Sequence, residues 1–113
     1  MTRRASPNLG PGRSDCPIAC TLDLIGDRWT LLIVRDLFKG RHRFSDFLSA
    51  GEGITTNILT DRLKRLERAG LVRRSRYQDH PPRYQYHLTA AGASLSPVLK
   101  AIYAWGARQR IRR

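Results

Sequence analysis

The chain has 113 residues, 41% hydrophobic and 27% charged, the make-up of one globular domain whose core needs no disulfides. Its apolar runs fall far short of the ~20 residues a spanning helix needs, and its basic N-terminus lacks an apolar secretory core, so the cytoplasm is the expected compartment and a membrane is not an expected partner. Twenty-one Lys and Arg against nine Asp and Glu give a net charge of +12, which points to polyanions: nucleic acid first, anionic lipid second.

Residues 1–14 are rich in Arg, Pro, Gly and Ser and read as a flexible basic tail. The domain is expected over 15–107, and 108–113 read as a second basic tail. Pro17 suits a first helical position, so Cys16 is the expected N-cap of a helix over 17–25 that Gly26 ends. Asp27 is a good cap for a helix over 28–39, with Trp29, Leu32, Ile33 and Leu37 on its buried face. A short helix follows at 44–50, then a Gly51-Glu52-Gly53 turn. Thr55 caps a strong helix over 56–69, where Leu59, Leu63 and Leu66 form one buried stripe. Gly70 stops it. The period then changes to two: 71–77 and 83–88 read as a β-hairpin with a Pro-containing tip. Thr89 caps a last helix to about 107, kinked at Pro97. Its seam of Ala91, Leu95, Val98, Ile102 and Trp105 steps by four and three residues.

A short helix, a tight turn, a capped basic helix and a hairpin make a winged helix-turn-helix, so the expected fold is α+β, mainly α. The hairpin is its wing, and the first and last helices are additional dimerisation helices. An α-helix fits the major groove of duplex DNA, and its first residues reach base edges. Thr55, Thr56, Asn57 and Thr60 stand there as small hydrogen-bonding groups. Arg62, Lys64 and Arg65 are candidates for phosphate or guanine, while Asp61 fits better as a partner that orients an Arg. Arg43 and Ser45 open the short helix as phosphate clamps, and His80 and Arg83 sit in the wing. A merely solvated basic face is the bland alternative, disfavoured by the turn before the helix and the hairpin after it.

Four segments carry a resemblance to a known family: CPIACTLDLIGDRWTLLIVRDLF at 16–38, RFSDF at 43–47, ITTNILTDRLKRLERAGLVRR at 54–74 and PPRYQYHLTAAGASLSPVLKAIYAWG at 81–106. The chain resembles the HxlR-type winged-helix transcriptional regulators, relatives of the MarR group. The resemblance implies a homodimer that binds promoter DNA in a sequence-specific way and represses or activates neighbouring genes. Thr56 stands where Pro is common in the family, and the Arg-rich tails are more basic than the family pattern requires.

Cys16 sits where several members of that family carry a Cys that senses oxidants or electrophiles. A helix N-terminus favours thiolate, so Cys16 is the candidate redox sensor; a plain cap or small packed residue is the alternative. An intrahelical Cys16–Cys20 disulfide demands distortion, and Cys20 is expected to pack inward. Two cysteines four residues apart, with no His nearby, build neither a zinc site nor a disulfide framework. No catalytic set of Ser, His, Asp or Cys, no carboxylate pair and no phosphate-cradling Gly loop stands out, so neither catalysis nor a cofactor is expected. The C-terminal seam at Leu95, Val98, Ile102 and Trp105 is the expected dimer interface. The dimer would set two recognition helices about one DNA turn apart, ~34 Å or a multiple of it. A small-molecule or electrophile effector would act by changing that spacing. The alternative function is a sequence-tolerant winged-helix protein that binds nucleoid DNA or RNA; the small polar cluster at 55–60 argues against it.

Overall fold

A computed structural model gives the protein's structure and describes residues 14–112. The expected N-terminal tail, with Arg3, Arg4 and Arg13, and the final Arg113 lie outside the described residues. The elements run α1 (Pro17–Ile25), α2 (Thr30–Phe38), α3 (Phe44–Leu48), α4 (Thr56–Arg68), β1 (Val72–Asp79), β2 (Pro82–Leu88), α5 (Ala90–Ala93) and α6 (Ser96–Gln109).

Burial explains why these segments pack as they do. Ile33, Val34 and Leu37 of α2, Phe47 of α3, and Leu59, Leu63 and Leu66 of α4 close around one core with Leu71 and Val72. The leucine stripe of α4 is buried as its spacing required, worth about 1.5–3 kcal/mol per side chain removed from water. Trp29 and Leu32 are only half-buried, and fully buried Val34 takes a place the sequence reading did not assign.

Two polar knots hold the helix-turn-helix to the layer beneath it. Asp36 is buried, and its Oδ1 accepts from Arg35 and Arg41, each guanidinium at 3.0 Å. A buried carboxylate costs little when charge and hydrogen bonds match it this closely. Arg35 also donates to Glu52 at 3.1 Å, which ties the turn before α4 to α2. Gly51 and Gly53 of that turn have φ of 95° and 78°, the left-handed region that glycine enters freely.

β1 and β2 pair antiparallel from Val72↔Leu88 to Asp79↔Pro82, with a bulge at Tyr77. A bridge between Arg43 and Gln85 and a hydrogen bond from the Tyr86 N–H to the His42 carbonyl (2.8 Å) seat the chain before α3 on the outer edge of β2. The wing is thereby fastened to the start of the helix-turn-helix.

Two expectations need correction. The second helix starts at Thr30, because the Asp27 carboxylate accepts from the N–H groups of Trp29 (3.0 Å) and Thr30 (3.2 Å) and holds 27–29 as a turn. The last helix is two: α5 stops at Ala93, and α6 begins with Pro97 in its first turn. Proline has no N–H and crowds the carbonyl four residues back, so it is better tolerated where a helix begins. α6 then runs two residues past the expected boundary, to Gln109.

Candidate nucleic-acid interface

The recognition helix is capped as its sequence implied. Thr55 is extended and its hydroxyl accepts from the Ile58 N–H at 3.3 Å. Around that cap Thr55, Thr56, Asn57 and Thr60 are all exposed, and Lys64 and Arg68 continue the same outer face. Asn57, Thr60, Lys64 and Arg68 leave the helix away from the leucine stripe, since residues three, four and seven apart share a face, while Thr55 and Thr56 are exposed at its first turn. None of Thr55, Thr56, Asn57 and Thr60 is bulky, so a flat polar surface can approach the helix backbone closely.

Arg62 and Arg65 are not on that face. Arg62 lies three residues after Leu59 and one before Leu63, so its side chain leaves along the margin of the buried stripe. Its Nε donates to Asp27 Oδ2 at 2.9 Å and its Nη1 to Asp61 Oδ2 at 2.6 Å. Arg65 leans the same way, with Nη2 at 3.5 Å from the Asp23 carbonyl of α1. Arg62, expected at a phosphate, is thus engaged within the protein by Asp27 and Asp61. Asp61 does orient an arginine, as its sequence position suggested.

The wing and α3 supply the rest. Arg43, Ser45, His80 and Arg83 are exposed. The Arg43 guanidinium stacks 4.1 Å from the centre of the Tyr77 ring, which holds a long side chain in one pose. Behind it Asp46 accepts from the N–H groups of His42 (3.2 Å) and Arg43 (3.0 Å) and fixes the entry into α3. Arg43, Ser45, Tyr77, Arg83 and Tyr84 line an open cleft of about 220 Å³ between α3 and the wing, with no acidic residue in its lining. Arg74 and Arg76 share one face of β1 with Tyr84 and Tyr86 across the ladder, leaving Arg73 on the other. Arg74 pairs with Glu67 of α4 at 3.4 Å and stacks on Tyr84. At the tip the Gln78 amide donates to the His80 and Pro81 carbonyls. In the sequence Tyr77 and Tyr84 stand only as strand residues; their stacking with Arg43, Arg74 and Arg76 follows from the packing of the wing.

The family model of HxlR-like helix-turn-helix proteins matches residues 24–113. The chain belongs to this family. An HTH-type transcriptional regulator of Synechocystis is 43% identical over 91 residues, which are 80% of this chain and 67% of that protein. The solved structure of the HTH-type transcriptional regulator ytcD superposes with a TM-score of 0.78 at 34% identity, over 86% of this chain and 99% of that one. The redox regulator HypR in its oxidised form gives 0.75 at 35% identity, over 87% of this chain and 99% of that one. This HxlR-family chain is a winged-helix, DNA-binding transcriptional regulator.

Two further features of the HxlR-family chain lie away from the recognition helix. Cys16 is the N-cap of α1 and is exposed. The nearby backbone N–H groups of Ala19 and Ile18 favour its thiolate and lower its pKa below that of an ordinary thiol. Cys20 is half-buried rather than packed inward, its thiol donating to the Ser14 carbonyl at 3.3 Å. The C-terminal seam divides. Ala91 and Leu95 pack against the core, joined there by Leu99 from outside the seam, while Ile102 and Trp105 remain 52% and 55% exposed. Val98 and Tyr103 are exposed beside them, and Ile18 and Leu22 of α1 are exposed too. Among the described residues no group of three His, Cys, Asp or Glu could hold a metal, and no helix is long and apolar enough to cross a membrane.

Proposed function

We propose that this regulator reads DNA sequence as a homodimer. The observation that carries the reading is the exposed, Thr55-capped first turn of α4, with Thr56, Asn57 and Thr60 directed outward and a basic wing beside it. In this assignment Thr55, Thr56, Asn57 and Thr60 meet base edges. Lys64, Arg43, Ser45, Arg83 and His80 hold the phosphates on either side, with Arg65 at the rim. Val98, Ile102 and Trp105 of α6 meet the same residues of a second copy around a two-fold axis, because this apolar strip has no cover among the described residues. Leu95 supports that strip from the core instead of standing in the contact.

We infer further that Cys16 is a thiol sensor. An exposed thiol held at a helix N-terminus is primed to react with an oxidant or electrophile. HypR, a redox regulator, has the same fold at 35% identity. The sequence reading placed the protein in the cytoplasm with residues 15–107 as its working domain, and both fit this role.

Selection from a random duplex library with the wild-type chain tests the reading. Fluorescence anisotropy on the enriched duplex and on its scrambled version, at ~0.15 M salt, measures the preference. A preference of several hundredfold is expected. Asn57→Ala should cut it by about five- to a hundredfold, the worth of one good base contact. Lys64→Ala should weaken both duplexes alike and reduce the salt slope by about 1. Equal binding of the two duplexes by the wild type would overturn sequence reading in favour of a sequence-tolerant binder.

A further inference from the structure

Asp27 joins the recognition helix to the elements that precede it. It occupies the turn between α1 and α2. Its Oδ2 accepts from the N–H groups of Trp29 and Thr30 and from Arg62 Nε, and its Oδ1 accepts from the buried Thr30 hydroxyl. One carboxylate thus caps α2 and grips the middle of α4. On the other side, Arg62 spends a second N–H on Asp61 of its own helix. The link from Asp27 back to α1 is short. The Gly26 N–H closes on the Leu22 carbonyl at 2.8 Å, and a methyl group at position 26 would stand 2.3 Å from that oxygen, so the joint is tight. Arg65 reaches the Asp23 carbonyl at 3.5 Å and gives α4 a second hold on α1.

We propose that Asp27 is a positioning residue for DNA recognition, acting through Arg62 to set the roll of α4 and to pass displacements of α1 to it. The inference rests on α4 being the sequence-reading helix. Its physical content is geometric. With Arg62 held on the α1 side, Asn57, Thr60 and Lys64 face outward. Without that hold, α4 keeps its leucine stripe buried but gains freedom to roll, and small polar side chains lose their register with base edges. α1 carries Cys16 and the exposed Ile18 and Leu22, so a change at α1 has a short, hydrogen-bonded route to the recognition helix.

The charge makes the test sharp. Asp27→Asn removes a negative charge from a chain of net charge +12, so electrostatics alone predicts tighter binding to every duplex. Positioning predicts the reverse for the enriched duplex: its preference over the scrambled one falls at least tenfold, while scrambled binding holds or tightens. Arg62→Gln should lose the same preference with its salt slope unchanged. A phosphate contact would instead weaken both duplexes and lower that slope by about 0.9. The double variant should be no worse than either single, because the two residues act as one unit. Arg62→Gln also serves where Asp27→Asn, which costs α2 its cap, fails to fold. Additive losses, or a lowered salt slope in Arg62→Gln, would overturn the assignment.

Failure to enrich any duplex would instead sink the sequence-reading proposal. Hydrogen exchange without DNA then decides the positioning role. Loss of protection confined to α4 and residues 26–30 in Arg62→Gln upholds it, and uniform or absent loss overturns it.

Discussion

Replacing Gly92 with alanine sets a methyl group against a backbone carbonyl. Gly92 is buried in α5, where its N–H donates to the Thr89 hydroxyl at 3.1 Å. A Cβ there would lie 2.0 Å from the Leu71 carbonyl oxygen and 3.0 Å from Leu88 Cδ2. An ordinary carbon–oxygen contact is about 3.3 Å, so α5 must retreat by more than ~1 Å. The Leu71 oxygen cannot give way easily, because it accepts from the Thr89 N–H at 3.0 Å while the Leu71 N–H is held by the Leu66 carbonyl. Overpacking of this kind costs about 1–3 kcal/mol, and alanine's helical advantage over glycine returns only about 0.5–1. An approach as close as 2.0 Å to a backbone oxygen belongs near the upper end of that cost and leaves a net loss of about 1–2.5 kcal/mol, so at ~4–8 °C per kcal/mol the melting temperature should fall by roughly 4–20 °C. Gly106 of α6 is the control, since nothing lies within 4 Å of its absent Cβ. Gly106→Ala should raise the melting temperature by about 2–8 °C. Far-ultraviolet circular dichroism on both variants reads the difference. If Gly92→Ala melts at or above the wild type, the close packing of α5 on Leu71 is wrong.

Three other outcomes are expected. Burial raises the Asp27 pKa, but hydrogen bonds from Thr30 and Arg62 and from the Trp29 and Thr30 N–H groups prevail and bring it to about 2, well below the ordinary carboxylate range. Its contribution is complete above pH ~4 and fades as pH falls through about 2; wild type should lose about 1–2 kcal/mol there, after discounting for partial exposure, that Asp27→Asn lacks from the start. Denaturant titrations at pH 7 and pH 2 check this, and an unchanged gap between the two proteins would refute it. Cys16 should be alkylated by iodoacetamide at a lower pH than free cysteine and before Cys20, read by peptide mass spectrometry; equal rates would remove the case for an activated thiol. Trp105→Glu should shift sedimentation from dimer to monomer, whereas a dimer that persists places the interface elsewhere.

Much of the fold was legible because local rules and packing agree. Pro17 after Cys16, Thr55 before Ile58, and the leucines at 59, 63 and 66 each imply a boundary or a buried face that the structure shows. The period-two run of Tyr84, Tyr86 and Leu88 likewise marks β2. The start of α2 was less legible, since Asp27 is a good cap in either register and the competing demand came from Arg62, 35 residues away. The break near Pro97 was read as a kink, because sequence spacing treats α5 and α6 as one amphipathic run.

The candidate interface shows the same division. Residue type and order determined that this chain is basic, winged and capped at its recognition helix, since charge, hydrophobic period and capping chemistry act over a few neighbouring residues. Only the tertiary structure decided which arginines face outward. Arg62 and Lys64 look alike in the sequence, but Asp27 reaches one and not the other. It also set Leu95 partly buried against the core while Ile102 and Trp105 stay exposed, because the core ends where α6 runs past it. Partners distant in sequence meet only after the chain has packed, and a side chain's role is set by the neighbour it then finds.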